Sequence, residues 1–178
     1  IHEVVRAMNT LIERGMAFYW GTSTWSSRKV TEAIGIADSL GLIGPTIEQP
    51  KYNMLSREVV EKEYAELYPR IGLTVFSPLA GGVLTGKYSG GIVPAGSRYA
   101  LPRYADLKER LLKESAEADK IIPIANELGC SMGQLALAWV LANDDVSTAI
   151  FGASTVAQVT VAPAPGPSPA RPGFRRGT

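Results

Sequence analysis

The sequence predicts an α/β fold built on a parallel sheet, and three observations carry that prediction. Apolar stripes at helical spacing alternate strictly with short apolar runs along most of the 178 residues. The short runs lack a sustained in-and-out pattern, as strands do when both faces of a parallel sheet are covered. The residues following those runs are small and polar, which suits loops at strand C-termini, where such sheets bind ligands. A barrel or an open doubly wound sheet fits this pattern. The chain shows about half the units of an eight-stranded barrel, which needs roughly 250 residues.

Val4, Met8, Leu11 and Ile12 form the first helical stripe, stopped by Gly15, and Ala17 to Trp20 reads as an aromatic-rich strand. Ser26 or Ser27 caps a second helix with the face Val30, Ala33, Ile34, Ala37 and Leu40, and Gly41 ends it. Pro45 to Gln49 is the second strand. Ser56 caps a stripe of Val60, Tyr64, Leu67 and Tyr68 ending near Gly72, and Leu73 to Phe76 is the third strand. Ser77 to about Ala105, rich in Gly, Pro, Ser and Tyr, predicts a long loop of the functional or disordered kind. Leu107, Leu111, Leu112, Ala118, Ile122, Ala125 and Leu128 share one helical face, which Pro123 kinks or splits because it has no N–H to donate. Ser131 and Gln134 have capping-box spacing ahead of Leu135, Ala138, Trp139 and Leu141, and Val146 to Phe151 is the last strand.

Residues 1–161 thus read as one folded domain. Residues 162–178, APAPGPSPARPGFRRGT, are too rich in Pro, Ala, Gly and Arg to build a core, so a disordered, irregular Pro-rich tail is expected. Translation through an intron or a frameshift is the other reading of that segment, and a start at Ile1 suits a fragment.

The formal net charge of +1 leaves no electrostatic footprint for nucleic acid or an anionic membrane. No apolar run approaches the roughly 20 residues needed to span a bilayer, so no direct membrane insertion is expected. The lone Cys130 cannot form an internal disulfide and reads as a small buried hydrophobe in a reducing compartment. With no signal-like N-terminus, these features point to the cytoplasm. The single histidine, His2, reads as a surface residue, and no Cys or carboxylate cluster has metal-ligand spacing.

Candidate chemistry lies at the strand ends: Gly21-Thr22-Ser23, Glu48-Gln49, Ser77 through Gly82, and Gly152-Ala153-Ser154. Ser77 to Lys87 combines glycines that admit close backbone approach, a hydroxyl and a lysine, which together suit a pyrophosphate. Gly152 to Ser154, opening a further helix, offers a second anion site through free N–H groups and the helix dipole. Neither a P-loop nor a G-x-G-x-x-G fingerprint is present.

YWGTSTWSS at 19–27, EQPKYNML at 48–55, FSPLAGGVLTGKY at 76–88 and FGAS at 151–154, in this order, resemble the aldo-keto reductases, and within them the voltage-gated potassium channel β-subunit branch. The resemblance covers about Ile1 to Gln158. It implies the C-terminal half of a (β/α)8 TIM barrel that binds NADP(H) without a Rossmann fold. It assigns Ser23 and Gln49 to the nicotinamide carboxamide and Phe76 to stacking on the nicotinamide ring. Ser77, Pro78, Leu79, Ala80 and Gly81 match the pyrophosphate loop, and Lys87 and Arg98 its cationic contacts farther along the nucleotide. Ser154 and Gln158 match the residues that grip the ribose 2′-phosphate, and Gly152, in the same turn, is a further cofactor-binding residue.

The sequence departs from the family pattern in three places. The family's catalytic Asp, Tyr and Lys, with the His or Asn that joins them, lie on earlier strands absent from this chain, and Tyr19 and Tyr52 do not replace them. Thr24 stands where the channel branch often has Arg, and Val161-Ala162 where the family has a Glu-Asn pair near the adenine. The resemblance therefore implies an NADP(H)-dependent oxidoreductase acting on small carbonyl substrates, with this chain holding cofactor-binding residues and no catalytic ones, and inactive alone. Its alternative is a cytosolic β-subunit bound to a potassium channel, with the cofactor as a redox-sensing ligand. A half barrel exposes unpaired sheet edges, so pairing with another chain, including a homo-oligomer, is a further expectation.

Overall fold

The structure is a computed structural model and describes residues 1–160. The order is α1 (His2–Glu13), β1 (Gly21–Ser23), α2 (Ser27–Leu40), β2 (Ile47–Gln49), β3 (Gly72–Phe76), α3 (Lys108–Asp119), α4 (Ile122–Glu127), α5 (Met132–Leu141), β4 (Val146–Ile150) and α6 (Val156–Thr160). Val161, Ala162 and the Pro-rich segment 162–178 lie outside the described residues.

The four strands are parallel and lie in the order β1-β2-β3-β4. A doubly wound sheet reverses its strand order part-way along, at the crevice that binds ligand. Here sequence neighbours are spatial neighbours throughout, as in a (β/α)8 barrel, so the architecture is a partial barrel. One face of the sheet carries Thr22, Glu48, Leu73 and Val75, all buried against the helical layer. The other face carries Ser23, Gln49, Phe76 and Ile150, and it is open.

Leu73 and Val75 pack with Val30, Ile34, Tyr64, Ile71 and Val140 in the main core. Full burial of such a side chain contributes about 1.5–3 kcal/mol each. Local signals hold the helices in place. The Ser26 hydroxyl accepts from the Lys29 N–H at 3.4 Å, Gly41 takes φ 64°, and Ser131 and Gln134 form a reciprocal capping box.

Several elements differ from the sequence expectation. β1 begins four residues after the expected Ala17, and Phe18 and Tyr19 are 87% and 70% exposed. Pairing with the second strand starts only where Thr46 N–H donates to Trp20 O at 3.0 Å, just beyond Pro45, which has no N–H to give. The stripe Val60, Tyr64 and Leu67 is buried as expected, but on a wide π turn at Val59–Glu63 and a 3-10 turn at Ala65–Leu67. Ser56 does not cap it, because its backbone exchanges hydrogen bonds with Asn53. The widened turn sets the Tyr64 hydroxyl on the Trp25 carbonyl. In α1 the buried residues are Val5 and Asn9, with Met8 and Ile12 packed behind, while Val4 faces outward. The buried face of α5 is Met132, Ala136, Leu137 and Val140, a rotation from the expected stripe. The helical face through Leu128 is split into α3 and α4; Leu111, Ala118 and Ala125 are buried as expected while Leu107, Leu112 and Leu128 are exposed, and Pro123 sits in the first turn of α4, where a missing N–H costs nothing. Cys130 is half-buried against the second core cluster.

Candidate functional site

The open face brings three of the expected residues together. Ser23 is paired in register with Gln49, and its hydroxyl donates to the Gln49 carbonyl at 2.9 Å. Phe76 ends the next strand; its N–H donates to Pro50 O at 3.0 Å and its carbonyl accepts from Tyr52 N–H. A polar pair and an aromatic therefore stand side by side at strand C-termini. Glu48 does not join them. Alternation turns its carboxylate into the helical layer, where it accepts from the Thr22 hydroxyl and from the Trp25 N–H at 3.1 Å.

After Phe76 the chain enters a tight turn with unusual backbone geometry. Among the described residues three non-glycines have positive φ: Thr24 at 58°, Ser77 at 56° and Ala80 at 48°. Thr24 and Ser77 directly follow β1 and β3, and Ala80 lies buried four residues past β3 in the same turn as Ser77. A non-glycine left-handed conformation costs about 1–3 kcal/mol and persists where surrounding structure over-determines it, which is typical of functional sites. Here the buried Asn53 supplies that constraint: its amide donates to Ser77 O at 2.9 Å and its oxygen accepts from Leu55 N–H at 3.0 Å. Gly81 and Gly82, at φ 66° and 101°, complete the turn, and Pro78, Ala80, Val83 and Leu84 are buried beneath it.

The expected long loop is folded into successive 3-10 turns, Ala80–Thr85, Ser89–Gly91, Arg98–Ala100 and Pro102–Leu107. They lean back over the Ser77–Gly82 turn and leave a cleft of about 110 Å³ lined by Lys51, Ser77, Ala80, Gly81, Arg98, Tyr99, Tyr104, Leu107, Arg110 and Glu114. Four of these were expected on sequence: Ser77, Ala80, Gly81 and Arg98. The Arg98 guanidinium lies 5.0 Å from the centre of the Tyr104 ring, and Arg110 pairs with Glu114 at 2.8 Å. Burial first, and the Glu114 charge second, push the Tyr99 phenol above its ordinary range. Leu79 is half-buried below the turn and caps it through its carbonyl, which accepts from Gly82 and Leu84 N–H.

Lys87 does not line the cleft; it folds back over Gly82, with its ammonium 5.4 Å from the Tyr88 ring centre. Gly152, Ser154 and Gln158 stand apart on the turn after β4, all exposed, and the Ser154 N–H donates to the Gln158 side chain at 2.7 Å. Sequence reasoning missed Lys51, Tyr99, Tyr104, Arg110 and Glu114. Arg110 and Glu114 stand at i,i+4 spacing on a polar helix, where nothing local marks them; Lys51 stands only two residues past Gln49, and that proximity was the available signal.

The sequence profile of the Aldo/keto reductase family matches residues 1–161. The chain belongs to the aldo/keto reductase family. Family members are oxidoreductases that use nicotinamide cofactors. A protein of Arabidopsis thaliana named probable voltage-gated potassium channel subunit beta is 51% identical over 163 residues, covering 89% of this chain and 50% of the relative. A protein of the same name from Oryza sativa subsp. japonica is 50% identical over 163 residues, with the same coverage. The chain thus spans about half the length of these curated relatives. Among the described residues no helix is long and apolar enough to cross a membrane.

The family's cofactor can be tested against the residues present. A nicotinamide needs a flat partner and polar groups for its carboxamide, which Phe76, Gln49 and Ser23 offer on one face. A pyrophosphate needs cations, which Lys51, Arg98 and Arg110 offer in the cleft beside the Ser77, Ala80 and Gly81 backbone. The donor set fits.

Proposed function

We propose that this chain is the cofactor-holding half of an NADP(H)-dependent aldo/keto reductase barrel that reduces aldehydes or ketones in the cytoplasm. The observation that carries this reading is that every positive-φ non-glycine among the described residues falls in the turns following the strands that end in Ser23 and Phe76. Ser23 and Gln49 would orient the carboxamide, and Phe76 would present one ring face. Ser77 through Gly81, with Arg98, would hold the pyrophosphate, Lys87 would add charge nearby, and Gly152, Ser154 and Gln158 would contact the 2′-phosphate. When bound, the nicotinamide supplies hydride equivalents to a carbonyl carbon.

Protonating the resulting alkoxide needs a positioned acid. The Tyr52 hydroxyl is engaged by Glu61 at 2.9 Å and Asn143 at 3.3 Å, and Tyr19 precedes β1, on the side of the sheet away from the strand C-termini. The acid–base residues are therefore assigned to the part of the relatives' length that this chain does not span. Calorimetric titration tests the cofactor reading: NADPH should bind at least about tenfold more tightly than NADH, a difference of about 1.4 kcal/mol. Equal affinities would remove the NADP assignment. Steady-state oxidation of NADPH by the 178-residue chain with a reactive aldehyde should stay at background.

The names of the two plant relatives favour a second reading, a subunit that docks on a voltage-gated potassium channel and uses the same cofactor as a redox-sensing ligand. Co-purification with a channel's cytoplasmic domain tests it. Absence of association with the chain folded and cofactor-bound would reject it.

A further inference from the structure

Lys51 and Arg110 face the same cleft as Arg98 although they come from separate segments of the chain. Lys51 lies two residues beyond β2, on backbone held by parallel bridging to Phe76. Arg110 lies in the first turn of α3, where its Nε donates to Glu114 at 2.8 Å. The left-handed Ser77 and Gly81 backbone lines the cleft with them. Three cations against one carboxylate leave two positive charges in the cleft, the complement of the two negative charges on the bridging pyrophosphate of a dinucleotide.

We propose that Lys51 and Arg110 are pyrophosphate-anchoring residues, acting beside the Ser77–Gly81 backbone, and that Glu114 sets their affinity by holding Arg110 until the anion arrives. The proposal rests on the cofactor reading above and adds two cations that the family resemblance does not assign. Charge-assisted hydrogen bonds of this kind are the strong ones, and guanidinium is suited to paired phosphate oxygens. Glu114 competes for the same guanidinium, so its removal should favour the anion.

Calorimetric titration of the 178-residue chain separates the possibilities, with NADPH, inorganic pyrophosphate and adenosine 2′-monophosphate as probes. Lys51→Gln and Arg110→Gln should each weaken NADPH and pyrophosphate by about tenfold. Both should leave adenosine 2′-monophosphate within about twofold, because it lacks a pyrophosphate; Lys51→Arg should retain wild-type affinity and Glu114→Gln should tighten pyrophosphate. Wild-type affinity for NADPH in both Gln variants would overturn this proposal while leaving the cofactor reading intact. Equal weakening of all three probes would also overturn it, since that marks a disturbed fold. No binding of NADPH or pyrophosphate by the unmodified chain would overturn both.

Discussion

The turn after β3 and the turn after β4 lie on neighbouring strands, and both combine small residues with a serine hydroxyl. Their surroundings differ sharply. The first is anchored from below by Pro78, Ala80, Val83 and Leu84, from the side by Asn53, and from above by Tyr99. The second is exposed throughout, and its Ser154 N–H is satisfied by its own helix through Gln158. The contrast teaches that similar turn compositions hold strained dihedrals only where packing offsets their cost.

Substitution at Gly82 should break that preorganisation with the largest effect. Its φ of 101° is one that L residues rarely adopt, and a Cβ there would lie 2.3 Å from Lys87 Cε. The lysine chain can swing aside, so backbone strain decides the sign. Gly82→Ala should destabilise by about 1–3 kcal/mol in chemical denaturation and weaken NADPH in parallel. An unchanged denaturation midpoint would mean the turn is not over-determined. Next in size, Ser77→Gly should relieve a left-handed serine and raise stability by about 1 kcal/mol while loosening nucleotide binding. A stabilised variant that binds NADPH as well as the parent would separate the strain from function.

The pH dependence of the first turn sharpens the comparison further. Burial raises the Tyr99 phenol above its ordinary value, and Tyr99 packs directly on Gly81. A folded-state pKa above the unfolded one means the folded protein keeps its proton longer. The associated stability is therefore fully present below about pH 10, the unperturbed phenol value, and is lost as pH rises from there through the raised folded value. Tyr52, Tyr64 and Tyr68 are raised as well, so the useful measurement is a difference. Tyr99→Phe should show a smaller alkaline loss of stability than the parent, and identical pH profiles would place Tyr99 outside the energetics of the turn.

Much of this was legible in the sequence, because the signals were local. The cap at Ser26, the Gly41 stop, the Ser131–Gln134 box and the core stripe of α2 depend on residues within one or two helical turns. The family resemblance likewise named Ser77, Ala80, Gly81 and Arg98, four residues that the fold gathers on one cleft. What was not legible depends on partners distant in sequence. Whether Phe18 and Tyr19 pair in a ladder depends on where the neighbouring strand starts, and composition does not encode that. Glu48 reads as a strand-end carboxylate, but the pleat decides its direction and takes it into the core. Lys51 and Arg110 become neighbours only through the turns between Ala80 and Leu107.

The smallest expected effects belong to the second turn, and they test whether the contrast is real. Gly152 has no neighbour within 4 Å of an added Cβ and no left-handed φ, so Gly152→Ala should change stability by no more than about 0.5 kcal/mol. Gln158→Ala removes the side chain that occupies the Ser154 N–H at 2.7 Å, and at this exposed position its effect on stability should fall in the same range. Its effect on ligand choice should be larger. Freeing the N–H opens it to a phosphate oxygen, while losing the Gln158 amide removes a contact the resemblance assigns to the 2′-phosphate. If the amide contact dominates, the preference for NADPH over NADH narrows by a few-fold with the denaturation midpoint unchanged. A large drop in stability from either substitution would show that the β4 turn is packed as firmly as the one after β3, and would remove the physical basis for treating them differently.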